Sequence, residues 1–133
     1  MKIAVSHERS LTARPDQVTG LLSDFERIWP TDLAPAPRPL GGGLYDTKLM
    51  LWQEIDRPGA ARAFRVVRPA GLRGEHWFEL STGAGATTVR HTVSATATGR
   101  FAMLWRTVIG RRHDQIMEAM LDNVERLVTA GNA

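Results

Sequence analysis

From Thr88 to Gly99 the chain reads TVRHTVSATATG, and its apolar positions fall on every second residue. Val89, His91, Val93, Ala95 and Ala97 share one face, while Thr88, Arg90, Thr92, Ser94, Thr96 and Thr98 share the other. This is the alternation of a strand with one buried side. The buried side carries an imidazole, His91, among small aliphatic side chains.

The same alternation predicts a first strand in IAVSHERSL, Ile3 to Leu11. ARPDQVTGLLSDFERIWP then turns helical: Pro15 and Asp16 suit a first turn, and Val18, Leu21, Leu22 and Phe25 follow helical spacing. Ser23-Asp24 is expected to divide it into two short helices, and Trp29-Pro30 to end it. The stretch from Thr31 to Gly43, with Pro35, Pro37, Pro39 and the triplet Gly41 to Gly43, reads as an irregular connection. LYDTKLMLWQEI (Leu44 to Ile55), ARAFRVVRP, GEHWFELST and TTVRHTVSATATG follow as strands. Beyond Gly99 the period changes to 3.6, and Phe101, Leu104, Val108, Ile116, Met120, Val124 and Leu127 predict one side of a long helix, with a kink near Gly110-Arg111-Arg112.

These elements predict an α+β fold: a curved antiparallel sheet wrapped around a long C-terminal helix, with two short helices after the first strand. With 133 residues and no second pattern, the expectation is a single domain over residues 1–133. A straight helix against a bent sheet leaves space between them, so an internal cavity is expected.

Composition narrows the chemistry. The absence of cysteine removes disulfides and thiol catalysis, and four histidines leave little for a metal site, so no metal and no cofactor are expected. The net charge of +3 comes almost wholly from scattered arginines, Lys2 and Lys48 being the only lysines, and nucleic-acid binding is not expected. The opening MKIAVSHERS has too short an apolar run for a signal peptide, and no run reaches membrane-spanning length, so a cytoplasmic protein without membrane association is expected.

The opening strand running into LTARPDQVTGLLSDFERIWP, the glycine-rich lead into the middle strands and the closing RRHDQIMEAMLDNVERLVTA resemble the START-related (SRPBCC) superfamily of polyketide cyclase/dehydrase and lipid-transport proteins. The likeness spans nearly the whole chain. It implies the helix-grip fold and a cavity for a small hydrophobic molecule, with some members acting as aromatases or cyclases. Trp29 would then stand near the pocket opening.

A two-residue turn at Ala84-Gly85 fixes the hairpin register. It places Leu80 opposite Val89, Phe78 opposite His91 and His76 opposite Val93 on the inner face. Glu79 faces Arg90 and Trp77 faces Thr92 on the outer face. A one-residue slip would mix the faces. His76 and His91 become inward diagonal neighbours, roughly 7–8 Å apart at the backbone. They are either neutral core residues with satisfied hydrogen bonds, or they border a pocket and orient a polar group of a ligand.

The candidate ligand-binding set adds Trp29, Tyr45, Phe78, Val93, Ile116 and Met120 to the two histidines. Tyr45 is the inward candidate of its strand and Trp52 lies on the opposite face. Arg65 also belongs to the set but stays open: a four-residue loop pairing Arg68 with Arg73 points it inward, whereas Phe64 and Val66 argue for the opposite face. His7 lies on the Ile3/Val5 side of the first strand, either inward or at a frayed end. His113-Asp114, with Glu118 nearby, reads as a charged, solvated turn.

The leading functional expectation is binding of a small, mainly apolar ligand. The alternative is an aromatase, cyclase or dehydratase with His91 as acid/base and His76 or Tyr45 polarising a carbonyl. An interaction module is a third class, supported only by Trp77 on the outer face. The chain is expected as a monomer or homodimer.

Overall fold

The computed structural model describes residues 1–131. Seven antiparallel strands form one sheet in the order β1-β7-β6-β5-β4-β3-β2. They are β1 (Lys2–Leu11), β2 (Arg38–Gly41), β3 (Leu44–Asp46), β4 (Leu51–Ile55), β5 (Arg62–Arg68), β6 (Leu72–Gly83) and β7 (Ala86–Ala97). Two short helices, α1 (Pro15–Leu22) and α2 (Phe25–Ile28), follow β1. The chain closes with α3 (Gly99–Leu104), a π-helical turn at Trp105–Ile109 and α4 (Gly110–Gly131).

The hairpin of β6 and β7 has the register its turn chemistry implies, with Gly83 opposite Ala86, Phe78 opposite His91 and His76 opposite Val93. Ala84 at φ 53° and Gly85 at φ 76° supply the two left-handed residues of the tight turn. Near the far end of β6, Gly74 lies so close to β7 that a Cβ would stand 2.3 Å from the Ser94 carbonyl oxygen. Only glycine lets the two backbones approach there.

Three expected elements differ. Leu44 to Ile55 is two strands, because Thr47 to Met50 turns the chain: the Thr47 amide donates to the Met50 carbonyl, and Lys48 takes φ 71°. The proline-rich connection contains β2, which pairs with β3. The last helix runs on through Gly110 without the expected break, and the π turn instead adds a residue to the helical phase. Its inner line becomes Phe101, Trp105, Ile109, His113, Met117, Leu121, Val124 and Val128, and it leaves Leu104 and Val108 exposed. Gly110 makes room for this turn, since a Cβ there would stand 2.8 Å from the Trp105 carbonyl oxygen.

The core divides in two. One cluster joins α1, α2 and α4 to the sheet through Val18, Leu22, Ile28, Phe64, Val89, Leu121 and Val124. The other gathers Ile3, Leu72, Val93, Ala95, Ala97 and Phe101 at the opposite end. Met50 and Val66 pack against both. Such burial stabilises by roughly 1.5–3 kcal/mol for each large side chain.

Candidate functional site

Between the two clusters lies a cavity of about 230 Å³. The wall is almost wholly apolar, built from Phe25, Trp52, Phe78, Val93, Trp105, Ile109 and Met117 among others. The exposed side chains on its lining (Pro35, Leu49 and Arg112) place the mouth between the loop after α2, the turn at Thr47 to Met50 and the last helix. Two bonds hold that loop in place. The Trp29 indole donates to the Ala34 carbonyl at 3.0 Å, and Arg112 donates to the Leu33 carbonyl from across the mouth.

Of the candidate residues, Trp29, His76, Phe78, His91, Val93, Ile116 and Met120 border this cavity. Tyr45 does point inward, yet its hydroxyl accepts a 2.8 Å bond from Arg62 and the ring packs beside the cavity on Phe25 and Phe64. Trp52 corrects the assignment of strand faces. It is Tyr45's cross-strand partner and lies on the same inner side, because the turn between β3 and β4 resets the alternation. Arg65 points to solvent: β5 pairs it with Glu75 and sets Phe64 against His76, which buries the aromatic face. The inward arginine is Arg62, held by Glu54, the Leu22 carbonyl and Tyr45. Trp77 is on the outer face as expected but is covered, with the Arg57 guanidinium 3.6 Å from its ring centroid and its indole bonded to Glu79.

The two histidines are in direct contact. His91 Nε2 lies 3.3 Å from His76 Nδ1, so one nitrogen carries the shared proton and the other accepts it. His76 stacks on Phe64 and meets the edge of Trp52, and His91 packs on Phe78. Burial pushes His76 down to about 3, the neighbouring His113 adding to the effect. Burial also holds His91 well below the usual imidazole value, with smaller contributions from His76, His113 and His7. Both rings are therefore neutral at pH 7. The outer nitrogens, His76 Nε2 and His91 Nδ1, have no hydrogen-bond partner among the described residues, and neither has the Trp52 indole. Each such buried group costs about 1–3 kcal/mol.

His113 differs most from its expected place. It is largely buried, borders the cavity and lies 5.5 Å from the Trp105 ring and 5.9 Å from that of His91. The π turn carries it there, and a uniform 3.6-residue period gives no sign of this. Asp114 beside it is exposed, as the reading of a solvated turn implied.

This architecture, a seven-stranded antiparallel sheet gripping a long terminal helix, is the helix-grip fold of the START-related proteins. No protein-family model and no curated sequence matches the chain. Solved structures match over nearly its full length. A START superfamily protein from Mycobacterium smegmatis is 13% identical with a TM-score of 0.61, covering 96% of this chain and 97% of that one. Norcoclaurine synthase of Thalictrum flavum, in complex with a transition-state analogue, is 14% identical with a TM-score of 0.67, over 100% and 98% of the two chains. A Thermus thermophilus protein is 17% identical with a TM-score of 0.63, over 98% and 100%. Identities this low establish the fold alone. Among the described residues no helix is long and apolar enough to cross a membrane.

Proposed function

We propose that this protein binds a small, mainly apolar molecule of one or two rings in the cavity between the sheet and the terminal helix. The observation that carries this reading is an apolar hollow of about 230 Å³ whose wall includes two neutral imidazoles bonded to each other. A cavity of about 150 Å³ in a protein core accommodates benzene. The volume here suits a compact aromatic better than an extended lipid chain. Desolvation of the ligand supplies affinity, and the Trp52, His76 and His91 rings shape the wall against it.

Ile116→Trp, which fills the cavity from the helix side, tests this reading. 2-Naphthol should bind the native chain in titration calorimetry and bind the variant at least tenfold more weakly, with circular dichroism unchanged. Equal affinity for both would reject an internal site.

One observation favours a catalytic reading as the alternative, in which the site enolises a bound ketone. Whichever ring holds the shared proton, the pair presents one bare nitrogen and one N–H at its two outer atoms. The bare nitrogen would take a proton from the carbon beside a carbonyl. The N–H at the other end would donate to the carbonyl oxygen, and the bridging proton would cross between the rings. The enol forms, the pair ends in its other tautomer and no imidazolium appears, as a dry site requires. β-Tetralone incubated with the protein in deuterated buffer should lose its α-proton NMR signals faster than in buffer alone, with His91→Gln returning exchange to the buffer rate. Exchange no faster with the native protein excludes the catalytic reading and leaves the binding reading intact.

A further inference from the structure

The edge strand β1 and the helix α4 bring together a second group of side chains, of which only His113 borders the cavity. His7, opposite His91 in the β1–β7 ladder, places its ring 5.7 Å from that of His113. Its Nε2 lies 3.0 Å from Asp114 Oδ1. One ligand atom from each of His7, His113 and Asp114 lies within 4.8 Å of the other two. We propose that these three residues form a binding site for a divalent transition-metal ion of the zinc, cobalt or nickel type.

The donor set selects that class. Two imidazoles and one carboxylate suit borderline cations, whereas magnesium and calcium favour all-oxygen shells. Metal–ligand distances of about 2.0–2.2 Å place the donors of a tetrahedral site roughly 3.4 Å apart. The present spacing therefore requires a modest contraction, and the structure shows which residue can supply it. His7 is held in the sheet ladder, and His113 is wedged against Trp105 by the π turn. Asp114 is more than half exposed, so its carboxylate is free to swing inward.

One further feature agrees. The carboxylates Asp114, Glu118, Asp122 and Glu125 line the face of α4 that meets β1, and Arg9 engages the last three. Asp114 is thus the acid not committed to that arginine. Three protein donors leave at least one coordination position open for water or an anionic oxygen. The inference does not rest on the ligand reading: His113 borders the cavity, whereas His7 and Asp114 lie outside its lining.

The simpler role for the same contact is a hydrogen bond tacking α4 to the sheet edge. Tag-free protein stripped with EDTA separates the two. Titration calorimetry with Zn²⁺ should give one saturable site per chain, and Co²⁺ should give a visible d–d absorption band. Asp114→Asn and His7→Gln should each weaken Zn²⁺ binding by at least roughly tenfold. Asp114 is exposed, so that variant is expected to fold even if His7→Gln does not. No saturable Zn²⁺ site in the stripped native chain, or binding indifferent to Asp114→Asn, would overturn the proposal. Variants that lose stability in a chain that takes up no zinc would leave only the structural contact.

Discussion

Arg62→Met is expected to destabilise the protein by about 3 kcal/mol, a large share of the 5–15 kcal/mol typical of a domain. Arg62 lies on the inner face of β5 with its side chain 9% exposed, and it serves three acceptors. Its Nε donates to Glu54 Oε2 at 3.1 Å, Nη1 to the Leu22 carbonyl at 2.8 Å and Nη2 to the Tyr45 hydroxyl at 2.8 Å. The guanidinium also covers the Phe25 ring at 4.3 Å. The Leu22 carbonyl ends α1, where the helix dipole favours a cation, so this one side chain ties α1, β3 and β4 to β5. Methionine keeps the apolar stem and removes every donor. Glu54 is over a third exposed and regains water, which discounts the ion-pair part of the loss. Glu54→Gln should therefore cost less, about 1 kcal/mol. Urea unfolding of the two variants measures the difference, and a change under 1 kcal/mol for Arg62→Met would show that the ties are dispensable.

Arg62 also marks where reading along the chain stops. The hairpin of β6 and β7 was legible because its information is local: a glycine turn, a charge pair and a period of two all demand the same register. In the structure Glu79 does sit opposite Arg90, although the arginine's bonds go to Glu8 on β1. The order of elements was legible for the same reason, and it sufficed for the fold. Arg62 has partners on three other elements, and no local pattern joins Leu22, Tyr45 and Glu54 to it. Arg65 was ambiguous because the loop after β5 leaves two registers open by length. The structure takes the one that buries Phe64 and sets Arg65 against Glu75. The alternation alone puts Trp52 on the wrong face, because the turn before it contains neither glycine nor proline and its reset carries no sequence mark. His113 was misplaced because one added residue in a π turn rotates everything beyond it. Seven of the nine lining candidates border the cavity: those on β6 and β7 because the hairpin's phase is legible, and Ile116 and Met120 because they flank Met117 on the shifted line of α4. Trp52, Trp105, Ile109 and His113 were missed where the phase changed.

Acidification from pH 7 to pH 5 is expected to remove about 4 kcal/mol of stability through His76 and His113, and more through His91. In the unfolded chain each imidazole titrates near its ordinary value of about 6.5. In the folded chain burial holds His76 at about 3, His113 at about 4 and His91 well below the usual value. Between the folded and unfolded values the unfolded state binds more protons, so stability rises with pH in that window and falls as acid is added. The loss begins near pH 6.5, grows about tenfold in the folding equilibrium per pH unit and per imidazole, and levels off only below the folded values. At pH 5 His76 and His113 have each cost about 2 kcal/mol. Asp16, held below the usual carboxylate value by Arg14, and Asp46, held below it by the Lys48 amide, contribute their loss only at lower pH. The interval from pH 6.5 to pH 5 therefore isolates the histidines. Urea midpoints followed by circular dichroism at pH 7.5, 6 and 5, in buffer containing EDTA, should fall steadily across it. A midpoint that holds constant down to pH 5 would mean these three rings accept protons in the folded state, and the dry, neutral wall assigned to the cavity would have to be abandoned.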